Sequence, residues 1–225
     1  MMYLRAMWLM VKKDLTVEFR TKTLLISAVT FAALLVILLG FSLPSSVSLA
    51  MHDIPGMLWV LIFIAGYMGL NRQDDKERYD GAMYGALLIP VDRSAILYAR
   101  IVSNTLFLLL IEIIIIPLFV LILHQSLPRD IVPLCLAIIL ATMGFMAMGT
   151  FLTSVASASN LREIVVPILL FPLAIPLFLA VQTITQAAWF NSGLSLMTAW
   201  WAVLVGYMAL FLILPGLLFE ILVEV

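Results

Sequence analysis

One carboxyl group, Glu112, stands alone inside a long apolar run, Ile101 to Pro128, that contains no other charged residue. An ionised carboxylate in hydrocarbon is costly, so Glu112 is expected to face the protein interior or to be protonated. It is a candidate for a cargo path or gate; the alternative is a neutral, hydrogen-bonded structural acid. No basic residue shares its run, which argues against a proton pathway. Two imidazoles, His52 and His124, could ligate haem iron, although histidine is also common where a helix leaves a membrane. Cys135 is the single cysteine, which excludes an intrachain disulfide and a cysteine metal cluster. No metal site is legible. The chain has neither a Gly-x-x-x-x-Gly-Lys-Ser/Thr phosphate loop nor a His-Glu-x-x-His zinc motif. His124 and the serines Ser154, Ser157 and Ser159 are expected on opposite membrane faces, so no hydrolytic constellation forms and no catalytic residue is named. Net charge is −1, which gives nucleic-acid binding no electrostatic support.

The elements that must hold these residues follow from how charge is distributed. Of the 225 residues, 64% are hydrophobic and 11% charged, and mean hydropathy is +1.19. A soluble domain carries roughly a quarter charged residues, so lipid is the expected solvent. Charge is absent from Thr23 to His52, Ile54 to Asn71, Ile131 to Leu161 and Ile164 to Phe219. A spanning helix needs roughly 20 apolar residues. Together with the Glu112 run, these gaps predict six spans, at about 24–43, 55–71, 96–123, 131–156, 164–184 and 198–220. The fold class is therefore an all-α polytopic membrane protein forming a single transmembrane domain over 1–225. Basic residues set the orientation. Arg5, Lys12, Lys13, Arg20, Lys22, Arg72, Lys76, Arg78, Arg93, Arg100 and Arg162 fall on one side, and only Arg129 on the other. Both termini are then expected in the cytoplasm, with the first span an uncleaved anchor. Trp59, Trp189, Trp200 and Trp201 are expected near the outer interface and Trp8 near the inner one.

Four segments carry further expectations. In 2–20, Leu4, Trp8, Val11, Leu15 and Phe19 recur at three- and four-residue steps, with Arg5, Lys12, Lys13, Glu18 and Arg20 on other faces. This predicts an amphipathic helix on the membrane surface, its basic residues towards acidic lipid heads. The inner loop after Arg72 passes from mixed charge, including Asp74, Asp75 and Asp80-Gly81, into an apolar stretch at 82–89 stopped by Pro90. There Met83, Tyr84, Leu87 and Leu88 share one helical face, a ridge for a soluble partner or simply a lipid-lying loop. The fifth span contains Pro167, Pro172 and Pro176. Each removes an amide donor and crowds the carbonyl four residues back. In lipid such carbonyls need partners, so this helix is expected to be kinked and to face protein, either as a hinge or as static packing. The fourth span is rich in Ala137, Ala141, Gly144, Ala147, Gly149, Ser154 and Ala158, which predicts close helix packing.

A surface helix, six spans and a charged first inner loop running from Arg72, Asp74 and Asp75 through Asp80-Gly81 to Leu87-Leu88-Ile89-Pro90 resemble an ABC-2-type permease. With the Pro172-Leu-Ala-Ile-Pro176-Leu stretch, the chain resembles the CcmB family, the permease subunits of the cytochrome c maturation (haem exporter) system, over essentially its whole length. The resemblance implies an inner-membrane permease, paired as a homodimer, with a cytoplasmic ABC ATPase subunit that carries the ATP. It implies a haem-handling cytochrome c maturation membrane protein as a further partner. Haem would be a cargo and not a resident cofactor. Residues 74–89 would form the coupling helix seated in the ATPase, through Asp74, Asp75, Asp80, Gly81, Met83, Tyr84, Leu87, Leu88 and Pro90. Glu112 lies outside the pattern of that family. An ABC-2 permease for a lipid, polysaccharide or drug, and a non-transporting membrane scaffold, are the rival readings.

Overall fold

The computed structural model describes residues 2–42, 53–79, 93–156, 162–190 and 197–223. Among them every regular element is a helix: α1 Met2–Thr21, α2 Thr23–Ser42, α3 Asp53–Tyr79, α4 Arg93–Ile122, α5 Ile131–Val155, α6 Arg162–Phe190 and α7 Met197–Val223. The chain is thus all-α, as its composition predicts. Helices α2 to α6 are each long and apolar enough to cross a membrane. In α7 the described apolar stretch is Thr198–Leu214, inside a helix of 27 residues that is roughly 40 Å long at the usual helical rise.

A single residue separates α1 from α2. Lys22 has φ 56°, the left-handed conformation that ends many helices. Its amide donates to the Glu18 carbonyl at 2.6 Å. The first amides of α2 have no intrahelical acceptor, and the Glu18 carboxylate supplies one, accepting from Leu25 N at 2.9 Å. Glu18 is therefore buried, against the expectation that it would share a solvated face with the lysines. Asp14 turns the same way and accepts from Ser103 on α4 at 3.1 Å. The expected apolar stripe is split by this docking. Val11 is buried against the bundle, while Trp8 and Phe19 are exposed.

Helix α5 is the hub, packing against α3, α4, α6 and α7. Its small residues explain why. Ala137, Ala141, Gly144, Ala147 and Gly149 are all buried. A Cβ on Gly149 would collide with Leu70 of α3, and one on Gly144 would stand 3.4 Å from Tyr207 of α7. In α3, a Cβ on Gly66 would lie 2.8 Å from Met146 and 2.9 Å from Leu108 and Phe145. Lipid supplies no hydrophobic drive between helices, so close van der Waals contact of this kind holds the bundle. Phe63 of α3 stacks on Phe145 of α5 at 4.3 Å and 7°, with Trp59 and Phe178 edge-on at 5.9 Å and 6.1 Å.

Two expectations change here. The inner loop was expected from Arg72, but α3 continues to Tyr79. Asp74 precedes Arg78 by four residues, an acid-before-base spacing that supports a helix. Trp59 and Trp189 are core residues and not a lipid-facing belt. Each buried indole finds an acceptor, Thr185 Oγ1 at 2.9 Å for Trp59 and the Ser126 carbonyl at 2.7 Å for Trp189, which is what an indole N–H requires once it leaves water.

Candidate functional site

Glu112 is buried, with 1% of its surface exposed. It lies ten residues before the end of α4, roughly 15 Å along the helix axis. One carboxyl oxygen accepts from Thr142 Oγ1 of α5 at 2.7 Å. The other, Oε2, has no hydrogen-bond partner among the described residues, and no ion pair to Glu112 occurs among them. Thr142 is buried on α5, which packs against α4, so the hydroxyl can reach the acid. A second polar pair crosses the same seam about two helical turns nearer the charged end, Asn104 Nδ2 donating to Thr150 Oγ1 at 2.9 Å. A buried acid with one unmet acceptor is a polar point inside an apolar bundle. Alone it has no arrangement for acid–base or nucleophilic chemistry.

The proline helix α6 runs unbroken from Arg162 to Phe190 through all three prolines. Its buried stripe comprises Val166, Leu170, Ala174, Leu177, Val181 and Ile184. Pro172 and Pro176 lie on the opposite, exposed side and Pro167 is half-buried. Within one chain these two prolines therefore point outward, not into protein as expected. The helix is two-sided in packing though not in polarity: Ala174, Ala180 and Val181 are on the buried face, while Ile168, Phe171, Leu173 and Ile175 are exposed. Pro172 and Pro176 leave the carbonyls of Ile168 and Pro172 without their usual amide donors.

Two tyrosines reach other carbonyls in the turn before a helical proline, not the two left without donors. A helical proline opens the turn before it, loosening the carbonyls three and four residues back. Tyr207 of α7 donates towards the Leu173 carbonyl at 3.1 Å and towards Met148 Sδ at 2.6 Å, and Leu173 stands three residues before Pro176. Tyr98 of α4 donates to the Leu212 carbonyl at 2.8 Å, and Leu212 stands three residues before Pro215 of α7. Neither tyrosine stood out in the sequence. The usable signal was a tyrosine on a neighbouring span at the depth of a helical proline.

Few of the remaining candidates fall among the described residues. His124 is exposed and ends α4 in a left-handed conformation, φ 52°. Its amide donates to the Leu121 carbonyl at 3.4 Å, and the next amide, Gln125, to the Val120 carbonyl at 3.0 Å, the paired bonds of a Schellman cap. Its local role is to close a helix. Asp74 and Asp75 lie in the last turns of α3. His52, Asp80, Gly81, Met83, Tyr84, Leu87, Leu88 and Pro90, and with them most of the expected coupling helix, lie outside the described residues. Among the described residues no group of three His, Cys, Asp or Glu side chains could hold a metal ion.

Two comparisons bear on what such a bundle does. The family model for the CcmB protein matches residues 5–221, nearly the whole of the 225-residue chain. No curated protein matches it.

Proposed function

Because the chain belongs to the CcmB family, multi-pass membrane components of the haem exporter in cytochrome c maturation, we propose that it is the permease subunit of an ABC transporter driven by a separate ATPase chain. The observation that carries this reading is the match along residues 5–221 of a chain that is all-helical and apolar. The permease lies in the cytoplasmic membrane with both termini inside, in keeping with eleven of its twelve basic residues falling on one side. Two copies and two ATPases form the unit, joined by a haem-handling maturation protein. Haem passes as cargo, and ATP is bound and hydrolysed on the partner. Residues 74–89 couple the two. Nucleotide-driven closure of the ATPases is passed to the spans, which then need two arrangements of similar free energy. Pro167, Pro172 and Pro176 are the hinge of that change.

The test is co-purification of the full chain with its native partners. Replacing Leu87 and Leu88 by Asp should release the ATPase while the chain still inserts, and c-type cytochromes should fall with it. An ATPase that stays bound refutes the coupling assignment. Normal cytochromes with an ATPase disabled in hydrolysis refute the transporter reading and favour a scaffold.

A further inference from the structure

A cleft opens between α2, α3 and α4 at the end of the bundle that carries Lys22 and the charged end of α3. Leu25, Ala28, Gly69, Asn104, Phe107 and Ile111 line it. The lining is apolar except for Asn104, whose amide is already engaged with Thr150. A Cβ built on Gly69 would meet nothing within 4 Å, so the cleft is unfilled beside that glycine, whereas the neighbouring Gly66 is tightly enclosed. Water gains nothing in such a space, and apolar cavities stay dry. The wall formed by α2 is the span least covered by protein, with 17% of its apolar window buried and Ile26, Leu34 and Leu38 more than half exposed. What bathes that helix is acyl chains, and they are the molecules with access to the cleft.

A second feature stands at its mouth. Arg20 and Lys22 are exposed and come one turn before Leu25. Lys22 is held in place by the left-handed turn and by the bond from its amide to Glu18. Lys22 and Arg20 are three and five residues before Leu25 in the chain, which puts two cations at the end of the cleft that Leu25 lines, within side-chain reach of the phosphate of a lipid whose tail entered between Leu25 and Gly69. We propose that this is a binding site for an anionic phospholipid, one acyl chain in the cleft and the phosphate on Arg20 and Lys22. The site ties the α1–α2 junction to α3 and α4 through a lipid. It does not depend on the transport reading, only on the bundle lying in a bilayer.

The experiment uses the full chain in phosphatidylcholine nanodiscs holding a small share of phosphatidylglycerol with a diazirine on one tail, mapped by mass spectrometry after irradiation. Adducts should concentrate on peptides containing Leu25, Gly69 and Phe107. Gly69→Leu should lower them about tenfold, the loss expected when two methylenes are excluded from the cleft, with adducts at the exposed Leu136 and Ile139 of α5 unchanged. Gly69→Ala, which meets no neighbour, should lower them about threefold to fourfold and serves if the larger side chain prevents folding. Lys22→Gln should weaken labelling by the phosphatidylglycerol probe and spare a phosphatidylcholine probe with the same tail. Labelling that is equal at Leu136 and Ile139 of α5, or insensitive to both Gly69 variants, overturns the site. Equal response of both probes to Lys22→Gln overturns the headgroup assignment. Displacement of the probe by equimolar haemin gives the cleft to the cargo instead and also overturns the proposal.

Discussion

Glu112 and Thr142 show how one residue can be read in two ways and how the two can be separated. The carboxyl has one partner and one orphan oxygen. Removing the hydroxyl by Thr142→Val leaves the buried acid with no partner, and should cost about 1–3 kcal/mol, seen as a lower Tm of the purified protein. Glu112→Leu removes both polar atoms of the acid, and the threonine can turn to its own helix carbonyl. That variant should be as stable as the parent or more so. Its effect on c-type cytochrome assembly then decides the role. Lost maturation in a stable Glu112→Leu protein makes the acid a gate or path residue, and retained maturation makes it structural. That Glu112 would be buried was legible from its solitary place in an apolar run. Its partner was not, because Thr142 is thirty residues away and only the α4–α5 approach brings it near. His124 is the converse. Its residue type suggested a ligand, which the structure does not test; what the structure adds is that its backbone caps a helix.

At the scale of the helix, the prolines and tyrosines form one system. If Tyr207 supports a carbonyl that Pro176 has loosened, the two side chains are coupled energetically. Tyr207→Phe should cost about 0.5–1.5 kcal/mol in the parent and measurably less beside Pro176→Ala, where an intact helical turn no longer needs the hydroxyl. A double-mutant cycle on thermal unfolding measures the difference, and strict additivity would show that the hydroxyl contributes independently of Pro176. The three prolines of α6 and their demand for partners were evident in the sequence. Which face they occupy was not, because an all-apolar helix has no polar stripe from which to read its rotation. The same ambiguity hid the burial of Trp59, which stands edge-on to Phe63.

For the whole molecule, the exposed side of α6 is the unresolved surface. Ile168, Ile175 and Leu179 are about half exposed or more, beside Pro172 and Pro176, and the carbonyls of Ile168 and Pro172 lack amide donors there. Lipid offers no donors to them. A second copy of the chain, as the proposed dimer requires, would cover this face. Introducing Ile168→Cys with Cys135→Ala should give a disulfide-linked dimer in native membranes under mild oxidation. A cysteine at Leu34 of α2, which is equally lipid-facing, should not. Equal cross-linking at both sites, or none at Ile168, places the dimer contact elsewhere.

By itself the sequence determined the solvent, the helical class and the approximate span limits, because twenty uncharged residues have few other stable fates and because backbone groups in lipid must be satisfied within a helix. It also supplied the family resemblance, through the inner loop and the paired prolines. The tertiary structure alone decided that Glu18 caps α2, that Thr142 meets Glu112, that Tyr98 and Tyr207 reach carbonyls next to prolines, and that the cleft beside Gly69 stands open. Each of these depends on the rotation and spacing of one helix against another. In a chain apolar on every face, that rotation comes from the fit of glycines and rings and not from hydropathy.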